Sequence, residues 1–294
     1  MHLVVTDSGL GGLSICASLE RRMRGLASPA AARLSYVSVW PDERHGYNDL
    51  PDMNARAEVF DRALAAMDRL EPDAIVIACN TLSVVFEYTE RRKRREAAPV
   101  LGIIDSGVEL FREALEADPA SVIALLGTKT TIESGLHRQR LVASGIDPAR
   151  LAPVACPGLA KAIEFNPASG EVADLVEKCA ADAAAAIPPG EPLFAGLCCT
   201  HYGYVAREIA AALSRRAGRL VATLDPNERL VDLVVSTTGR SMAGAEPPGE
   251  ISVTVISKVA LAETRRRAVA RLVEHVSPAT ARALLSYAHV PALF

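Results

Sequence analysis

The sequence lacks an apolar run of about 18 residues, which is the length that a membrane-spanning helix requires. Its N-terminus, Met1-His-Leu-Val-Val-Thr, has the pattern of a strand and carries neither the basic region nor the apolar stretch of a signal peptide. The formal net charge is -3, so the excess of positive charge that is typical of nucleic-acid binding proteins is missing too. We therefore expect a cytoplasmic protein that binds neither membranes nor nucleic acids.

The sequence also lacks several ligand motifs. No C-x-x-C pair occurs, which argues against zinc, and no Gly-Lys-Ser/Thr or G-x-G-x-x-G occurs, which argues against nucleotides. The six cysteines are scattered and do not have the spacing of a disulfide framework. We expect reduced thiols, with Cys16, Cys156 and Cys179 serving in packing.

Apolar, β-rich runs of four to seven residues alternate with longer amphipathic segments almost throughout the chain. This alternation predicts βαβ units, with parallel sheets covered by helices and ligands bound beyond the carboxyl ends of the strands. Short segments of similar sequence recur in the two parts of the chain, which predicts two similar halves. We expect residues 1–97 plus 207–294 to form a first α/β domain with a C-terminal helical extension, and residues 98–206 to form a second. The predicted strands are Leu3–Thr6, Leu34–Val39, Ala74–Ala78, Val100–Ile104, Val122–Leu126, Leu151–Ala155, Leu193–Leu197, Leu220–Leu224 and Ile251–Ser257.

Two of these runs end in a cysteine, followed by a threonine and an apparent helix: Ile75-Val-Ile-Ala-Cys79-Asn80-Thr81 and Ala195-Gly-Leu-Cys198-Cys199-Thr200-His201. Backbone N–H groups at a helix start stabilise a thiolate, and His201 is placed to relay a proton for Cys199. The alternative is that both cysteines are buried and structural, which is common for free cysteine. Two thiols presented alike suggest a site with a sulfur on each side of a substrate.

Two further segments have the composition of anion sites. Asp7-Ser8-Gly9-Leu10-Gly11-Gly12-Leu13-Ser14 opens a helix after the first strand, and its glycines let a ligand approach the backbone. Gly127-Thr128-Lys129-Thr130-Thr131-Ile132-Glu133-Ser134 places hydroxyl groups at another helix start. A tight turn capped by Asp7 explains the first pattern equally well, and a threonine that caps a helix explains part of the second.

Four blocks together resemble the signature blocks of the glutamate racemase family, which belongs to the cofactor-independent aspartate/glutamate racemase superfamily. The blocks are Asp7–Ser14, Ala78–Thr81, Gly127–Ser134 and Cys199–Tyr202, and they occur in the family order. The resemblance implies an α/β fold of two pseudo-symmetric domains. Each has a mostly parallel sheet flanked by helices, and the active site lies in the cleft between the domains. It implies no cofactor and no metal.

The resemblance also implies roles for individual residues. Cys79 and Cys199 would be the catalytic pair, with Asp7 supporting one thiol and Glu164 and His201 supporting the other. One thiolate would remove the α-proton of glutamate while the opposite thiol delivers one, which would supply D-glutamate for peptidoglycan. The partner is thus a small amino acid, and a homodimer is allowed. The implied substrate contacts are Ser8, Gly46, Tyr47, Asn80, Thr81, Thr128, Thr131 and Thr200.

One segment departs from the family. Where the family usually has a Pro-Tyr-Gly turn, this chain reads Trp40-Pro-Asp-Glu-Arg44-His45-Gly46-Tyr47-Asn, with the glycine and tyrosine in inverted order. Entry of Arg44 or His45 into the site would favour another acidic substrate, so aspartate or another amino acid stays open. A different class also stays open: a non-catalytic protein that binds a small anion and has inert cysteines.

Overall fold

The computed structural model describes residues 1–25, 31–94, 98–187, 190, 192–238 and 249–294. The chain forms two compact units, Met1–Ile103 with Leu230–Phe294, and Ile104–Arg229. The divisions predicted from the sequence lie between residues 97 and 98, where residue 97 is outside the described ranges, and between residues 206 and 207. In the structure the segment after residue 206 stays with the second unit as far as Arg229, because its strand at residues 221–224 pairs with the strand that ends at Cys198.

The described part of the chain contains ten strands: β1 (His2–Asp7), β2 (Ala32–Ser38), β3 (Ala74–Ile77), β4 (Val100–Gly102), β5 (Val122–Gly127), β6 (Leu151–Ala155), β7 (Leu193–Cys198), β8 (Val221–Leu224), β9 (Ile251–Ser257) and β10 (Ala288–His289). The same ranges contain twelve α-helices: α1 (Leu13–Arg24), α2 (Met53–Asp68), α3 (Asn80–Phe86), α4 (Ile103–Ala117), α5 (Lys129–Glu133), α6 (Leu136–Ala143), α7 (Leu159–Phe165), α8 (Gly170–Ala185), α9 (Ala206–Ala217), α10 (Asn227–Thr238), α11 (Glu263–Val273) and α12 (Pro278–Leu285). None of the helices in these ranges is long and apolar enough to cross a membrane.

The first unit contains a six-stranded sheet in the order β10-β9-β2-β1-β3-β4, and every pairing is parallel. All six residues of the central strand β1 are buried, as expected for a strand covered on both faces. Helix α2 begins at the Asp52 cap and packs Phe60, Leu64 and Met67 against one face of the sheet. The carboxyl ends of β1, β2 and β3 therefore lie side by side at one edge.

The second unit contains a four-stranded parallel sheet in the order β6-β5-β7-β8. Alternate residues of β5 enter different cores: Val122, Ala124 and Leu126 pack on one face, and Ile123 and Leu125 on the other. Helices cover both faces, so the predicted class, parallel sheets flanked by helices in two units, is confirmed. The same alternation determines where the side chains at the end of β7 point.

A disulfide joins Cys156, which follows β6, to Cys179 of α8. The prediction that both cysteines are reduced packing residues was therefore wrong, although both do lie in a hydrophobic core. Their Cα atoms are 5.6 Å apart while 23 positions separate them in sequence. Only the packing of α8 on the sheet brings them together, so their spacing carried no signal.

Candidate functional site

The turn after β1 is built around the carboxylate of Asp7. Its Oδ1 accepts a hydrogen bond from the N–H of Gly9 and its Oδ2 one from the N–H of Gly12, both at 2.9 Å. Gly12 is required here, because an added Cβ would lie 2.6 Å from the Cβ of Ala78 and 3.0 Å from Asp7 Oδ2. The turn therefore holds a fully buried carboxylate against the end of β3.

The thiol of Cys79 lies beside this carboxylate. Cys79 directly precedes α3, and the Ser8 hydroxyl lies 3.4 Å both from its Sγ and from Asp7 Oδ1. The hydroxyl has one proton, which it donates to Asp7 when it accepts from the Cys79 thiol and to the sulfur when Cys79 is a thiolate. Burial, aided by the charge of Asp7, raises the pKa of Cys79, whereas hydrogen bonds from Ser8 and from the Leu82 N–H oppose that rise. Ser8 thus bridges a thiol and a carboxylate.

Some buried polar groups without a partner lie at the strand ends of the first unit, where Cys79 also lies. Within the described ranges, neither the amide oxygen nor the amide nitrogen of Asn80 has a hydrogen-bond partner, and neither has the hydroxyl of Tyr47 or that of Ser38. Asn80 follows β3, whereas Ser38 ends β2 and Tyr47 lies in the connection from β2 to α2. Buried polar groups are normally paired, so these atoms mark where a polar ligand belongs.

The altered segment 40–48 is fixed by contacts within the first unit. Gly46 packs against the ring of Trp40, which lies under the buried guanidinium of Arg265 from α11, with 5.4 Å to the ring centroid. Tyr47 is buried, and its ring meets Phe60 edge-on. Arg44 and His45, which the sequence analysis considered for the pocket, have exposed side chains instead.

The second cysteine stands beside an imidazole and a second carboxylate. Nδ1 of His201 lies 3.8 Å from Sγ of Cys199, and Nε2 lies 2.5 Å from Oε2 of Glu164. All three side chains are buried. When Nε2 carries the proton that Glu164 accepts and the ring is neutral, Nδ1 is left as an acceptor for the thiol. This set therefore has the order thiol, imidazole, carboxylate.

Cys198, the last residue of β7, and Cys199, which follows it, lie on opposite faces of the sheet, as expected for neighbours on an extended chain. Cys198 is fully buried among the residues around Phe111, whereas Cys199 lies in the core on the other face. Burial raises the pKa of Cys198, and the charge of Cys199 adds to this effect. The turn after Cys199 is anchored by the Tyr202 hydroxyl, which donates to the carbonyl of Cys156 at 3.3 Å. Cys199 is thus the thiol of the pair that meets the imidazole.

The predicted threonine contacts lie at the starts of helical turns. Thr128 caps α5, accepting from the N–H of Thr131, and the two hydroxyls lie 3.0 Å apart. Thr81 is in the first turn of α3, and Thr200 begins the 3₁₀ turn Thr200–Val205 that follows Cys199. Each lies just beyond the carboxyl end of a strand, where α/β sheets bind their ligands.

One partly buried acid, Asp225, was not among the site residues predicted from the sequence. Asp225 follows β8, and its Oδ1 accepts from the N–H of Asn227 at 3.0 Å. Its other oxygen packs so tightly on Gly203 that an added Cβ there would lie 2.5 Å away. Burial raises the pKa of Asp225 to about 6. The sequence signal that could have identified Asp225 is its position at the carboxyl end of a predicted strand, where Asp7 also lies.

The sequence is similar to that of known proteins over most of its length. A family model described as Asp/Glu/Hydantoin racemase matches residues 5–234. A glutamate racemase of Acidothermus cellulolyticus is 29% identical over 250 residues, which cover 83% of this chain and 85% of that protein. Its similarity spans both units.

Two solved structures share the fold. One, a glutamate racemase from Campylobacter jejuni, aligns with a TM-score of 0.67 at 22% identity and covers 93% of this chain and 98% of that chain. The other is a glutamate racemase from Francisella tularensis in complex with D-glutamate, which aligns with a TM-score of 0.66 at 18% identity and covers 98% of this chain and 94% of that chain.

Proposed function

Because this chain belongs to the Asp/Glu/hydantoin racemase family, we propose that it interconverts L- and D-glutamate by a two-thiol mechanism without a cofactor. The observation that carries the proposal is that each unit joins a thiol to a buried carboxylate through one bridging side chain. The bridge is Ser8 between Cys79 and Asp7, and His201 between Cys199 and Glu164. The relatives named glutamate racemase support glutamate as the substrate.

Racemisation needs a base on one face of Cα and an acid on the other. In one direction Cys199 gives its proton to His201, and the resulting thiolate takes the α-proton of the substrate. Cys79 then donates its own proton to the opposite face of the carbanion. In the other direction the roles reverse, with Ser8 and Asp7 receiving the proton of Cys79. The proton that leaves Cys199 forms an N–H bond on His201. The C–H bond broken on one face of Cα is replaced by an S–H bond on Cys199, and the S–H bond broken on Cys79 is replaced by a C–H bond on the other face. Exchange of the His201 and Cys79 protons with water restores the starting state, so no further reagent is needed.

The carbanion must be stabilised by hydrogen bonds, because the site offers it no other electron sink. We assign this role to the α-carboxylate contacts of Thr81 and Thr200 at the two helix starts, and the ammonium contact to the oxygen of Asn80. Thr128, Thr131 and the backbone of Gly46 complete the substrate contacts. The D-glutamate formed in the cytoplasm would serve peptidoglycan synthesis.

The test is proton NMR of L- and D-glutamate, and separately of L- and D-aspartate, with the purified protein in D2O and a reducing agent. We expect both enantiomers of glutamate to lose the α-proton signal and to interconvert. Cys79→Ala and Cys199→Ala should abolish interconversion, since each leaves only one acid–base group. Cys16→Ala is the matched control, because Cys16 is a buried free thiol of α1 that touches neither set.

The alternatives predict different outcomes. Exchange of aspartate in place of glutamate would mean that segment 40–48, with its inverted glycine and tyrosine, has changed the substrate. Binding of glutamate without any exchange, unaltered in both alanine variants, would identify a non-catalytic anion-binding protein and refute the proposal.

A further inference from the structure

Strands β2 and β9 bring two segments of the chain together at one edge of the first sheet. The strands are parallel neighbours, and their last residues, Ser38 and Ser257, are paired in register. The chain therefore leaves both strands side by side, towards Trp40 after β2 and towards α11 after β9. The first segment, 40–48, departs from the family pattern, and the second lies beyond residues 5–234, which match the family model. Contacts between the two segments therefore cannot be inferred from the family match.

Two contacts join these segments. The guanidinium of Arg265, in the first turn of α11, lies over the ring of Trp40, with 5.4 Å from its central carbon to the ring centroid. The N–H of Ala260 donates to the carboxylate of Glu43 at 2.9 Å. Burial lowers the pKa of Arg265 to about 10, while Tyr36 and Glu43 oppose that fall. The guanidinium therefore stays charged at neutral pH.

The ring of Trp40 in turn packs against the turn at Gly46. A Cβ added to Gly46 would lie 3.1 Å from one ring carbon of Trp40 and 3.3 Å from another, so the backbone of Gly46 lies directly on the ring. The N–H of Gly46 donates to the carboxylate of Asp49 at 2.7 Å, which fixes the turn along the chain. Arg265, Trp40 and Gly46 thus form a continuous series of contacts from α11 to a residue whose backbone is among the proposed substrate contacts.

The charge of Arg265 needs an explanation, because only 9% of this residue is exposed. Burying a charge is unfavourable unless other groups compensate it, and an apolar side chain would avoid that cost. The face of an aromatic ring gives such compensation, most strongly when the ring belongs to tryptophan and the contact is shielded from water. A cation fixed over the ring also restricts where the ring can lie, and so restricts the turn that packs on it.

We propose that Arg265 is a positioning residue for the racemase site: it holds Trp40 and, through that ring, keeps the turn at Gly46 in the arrangement that binds the substrate. This inference rests on the proposed function, because it concerns the placement of one of the substrate contacts named there. A contact of this strength can favour one arrangement of segment 40–48 by about 3–30-fold. The apparent affinity for substrate falls by the same factor when that preference is lost.

The decisive variant is Arg265→Met, with calorimetric binding of D-glutamate and exchange kinetics as readouts. We expect the dissociation constant to rise by about 3–30-fold. KM should rise with it and kcat should change less, because the turn binds the ground state and the transition state alike. Arg265→Lys keeps the charge but not the planar group that stacks on the ring, so it should restore part of the affinity.

Arg266→Met is the matched control. Arg266 is the next residue of α11, and its guanidinium lies over the ring of Tyr287 at 5.1 Å, so this variant loses the same kind of contact. The hydroxyl of Tyr287 accepts from the N–H of Leu261, and its ring is not part of the series of contacts that leads to Gly46. The control should therefore bind D-glutamate as the wild-type protein does, even where its Tm falls.

A second comparison tests the route through the ring. If Arg265 acts through Trp40, Arg265→Met should change the dissociation constant little in a Trp40→Leu background, because the ring that transmits the effect is gone. Equal fold-changes in the two backgrounds would overturn the proposal. Trp40→Phe and Arg265→Lys weaken the contact with smaller changes in volume, and they provide the same test if either larger substitution prevents folding.

An unchanged dissociation constant in Arg265→Met overturns the proposal, and so does an equal rise in Arg266→Met, since the effect would then reflect a general loss of stability. Because binding is measured directly, this holds even if the protein proves not to turn glutamate over. Failure of the wild-type protein to bind either glutamate or aspartate also overturns it, whereas binding without exchange removes only the proposed catalysis.

Discussion

Substitution of Gly12 by alanine should displace the groups around Asp7 and Cys79 in the first unit through one defined clash. The added Cβ would lie 2.6 Å from the Cβ of Ala78, whereas carbon atoms pack at about 3.5–4.0 Å. The turn and the end of β3 must therefore separate by roughly 1 Å. This separation affects both Cys79, which directly follows Ala78, and Asp7, whose carboxylate accepts from the N–H of Gly12.

The expected magnitudes follow from this displacement. Overpacking of a well-filled interior costs about 1–3 kcal/mol. Each 1 kcal/mol lowers the Tm by roughly 2–4 °C for a chain of some 150–250 residues, so we expect a fall of several degrees here. Misplacement of a reacting group by about 1 Å can cost roughly 100-fold in rate. The loss of α-proton exchange should therefore exceed what the loss of stability alone produces at 25 °C.

The assay compares thermal unfolding with NMR exchange of glutamate, both performed on Gly12→Ala and on Gly170→Ala. Gly170 begins α8, and an added Cβ there meets no atom within 4 Å. That control should keep full exchange and gain up to about 1 kcal/mol, because alanine favours the helix. A Gly12→Ala protein with wild-type Tm and wild-type exchange would refute the steric reasoning.

Three further predictions concern buried ionisable groups. Glu164→Gln should lower kcat by about 10–100-fold while leaving the Tm nearly unchanged, because the glutamine still bonds His201 but no longer fixes its tautomer; steady-state exchange rates check this. Burial, with the charge of Arg140, lowers the pKa of His137 from 6.5 to about 4. The contribution of neutral His137 to the free energy of unfolding should be complete above pH 6.5 and should fall by roughly 3 kcal/mol as the pH falls toward 4. Urea unfolding of His137→Leu should show no such fall. Burial raises the pKa of Asp225 from 3.8 to about 6, so stability should instead be lost as the pH rises through that window. Asp225→Asn should raise the urea midpoint at pH 8 and leave it unchanged at pH 3.

The strands were predictable because short runs rich in apolar and β-branched residues, separated by helical segments, are typical of parallel sheets. The predicted segments Leu151–Ala155 and Ile251–Ser257 coincide with β6 and β9. The cap of α12 by Ser277 was predictable for a similar reason, since a cap depends on residues within one turn of each other. Local patterns thus determine most of the fold.

Contacts between residues far apart in the sequence could not be predicted from local patterns. Glu164 and His201 are 37 positions apart, and only the family resemblance linked them before the structure did. No pattern indicated the Cys156–Cys179 disulfide or the return of the chain to the first unit at Leu230. These features depend on how helices pack on the sheets, which short motifs do not specify. The orphaned hydroxyl of Tyr47 is of the same kind, because lacking a partner is a property of the folded surroundings.

The two thiols differ in the group that bridges each to its carboxylate, and this difference determines where a proton can be stored. The hydroxyl of Ser8 can pass a proton to Asp7 but has no stable protonated form near neutral pH, whereas the imidazole of His201 can hold one. Burial and the charge of Asp7 raise the pKa of Cys79, so Cys79 is a thiol at neutral pH and is suited to act as the acid. Cys199 faces an imidazole acceptor and is suited to act as the base. In the mechanism proposed above, these groups serve one direction of racemisation. In that mechanism the opposite direction requires the proton of Cys79 to pass through Ser8 to Asp7.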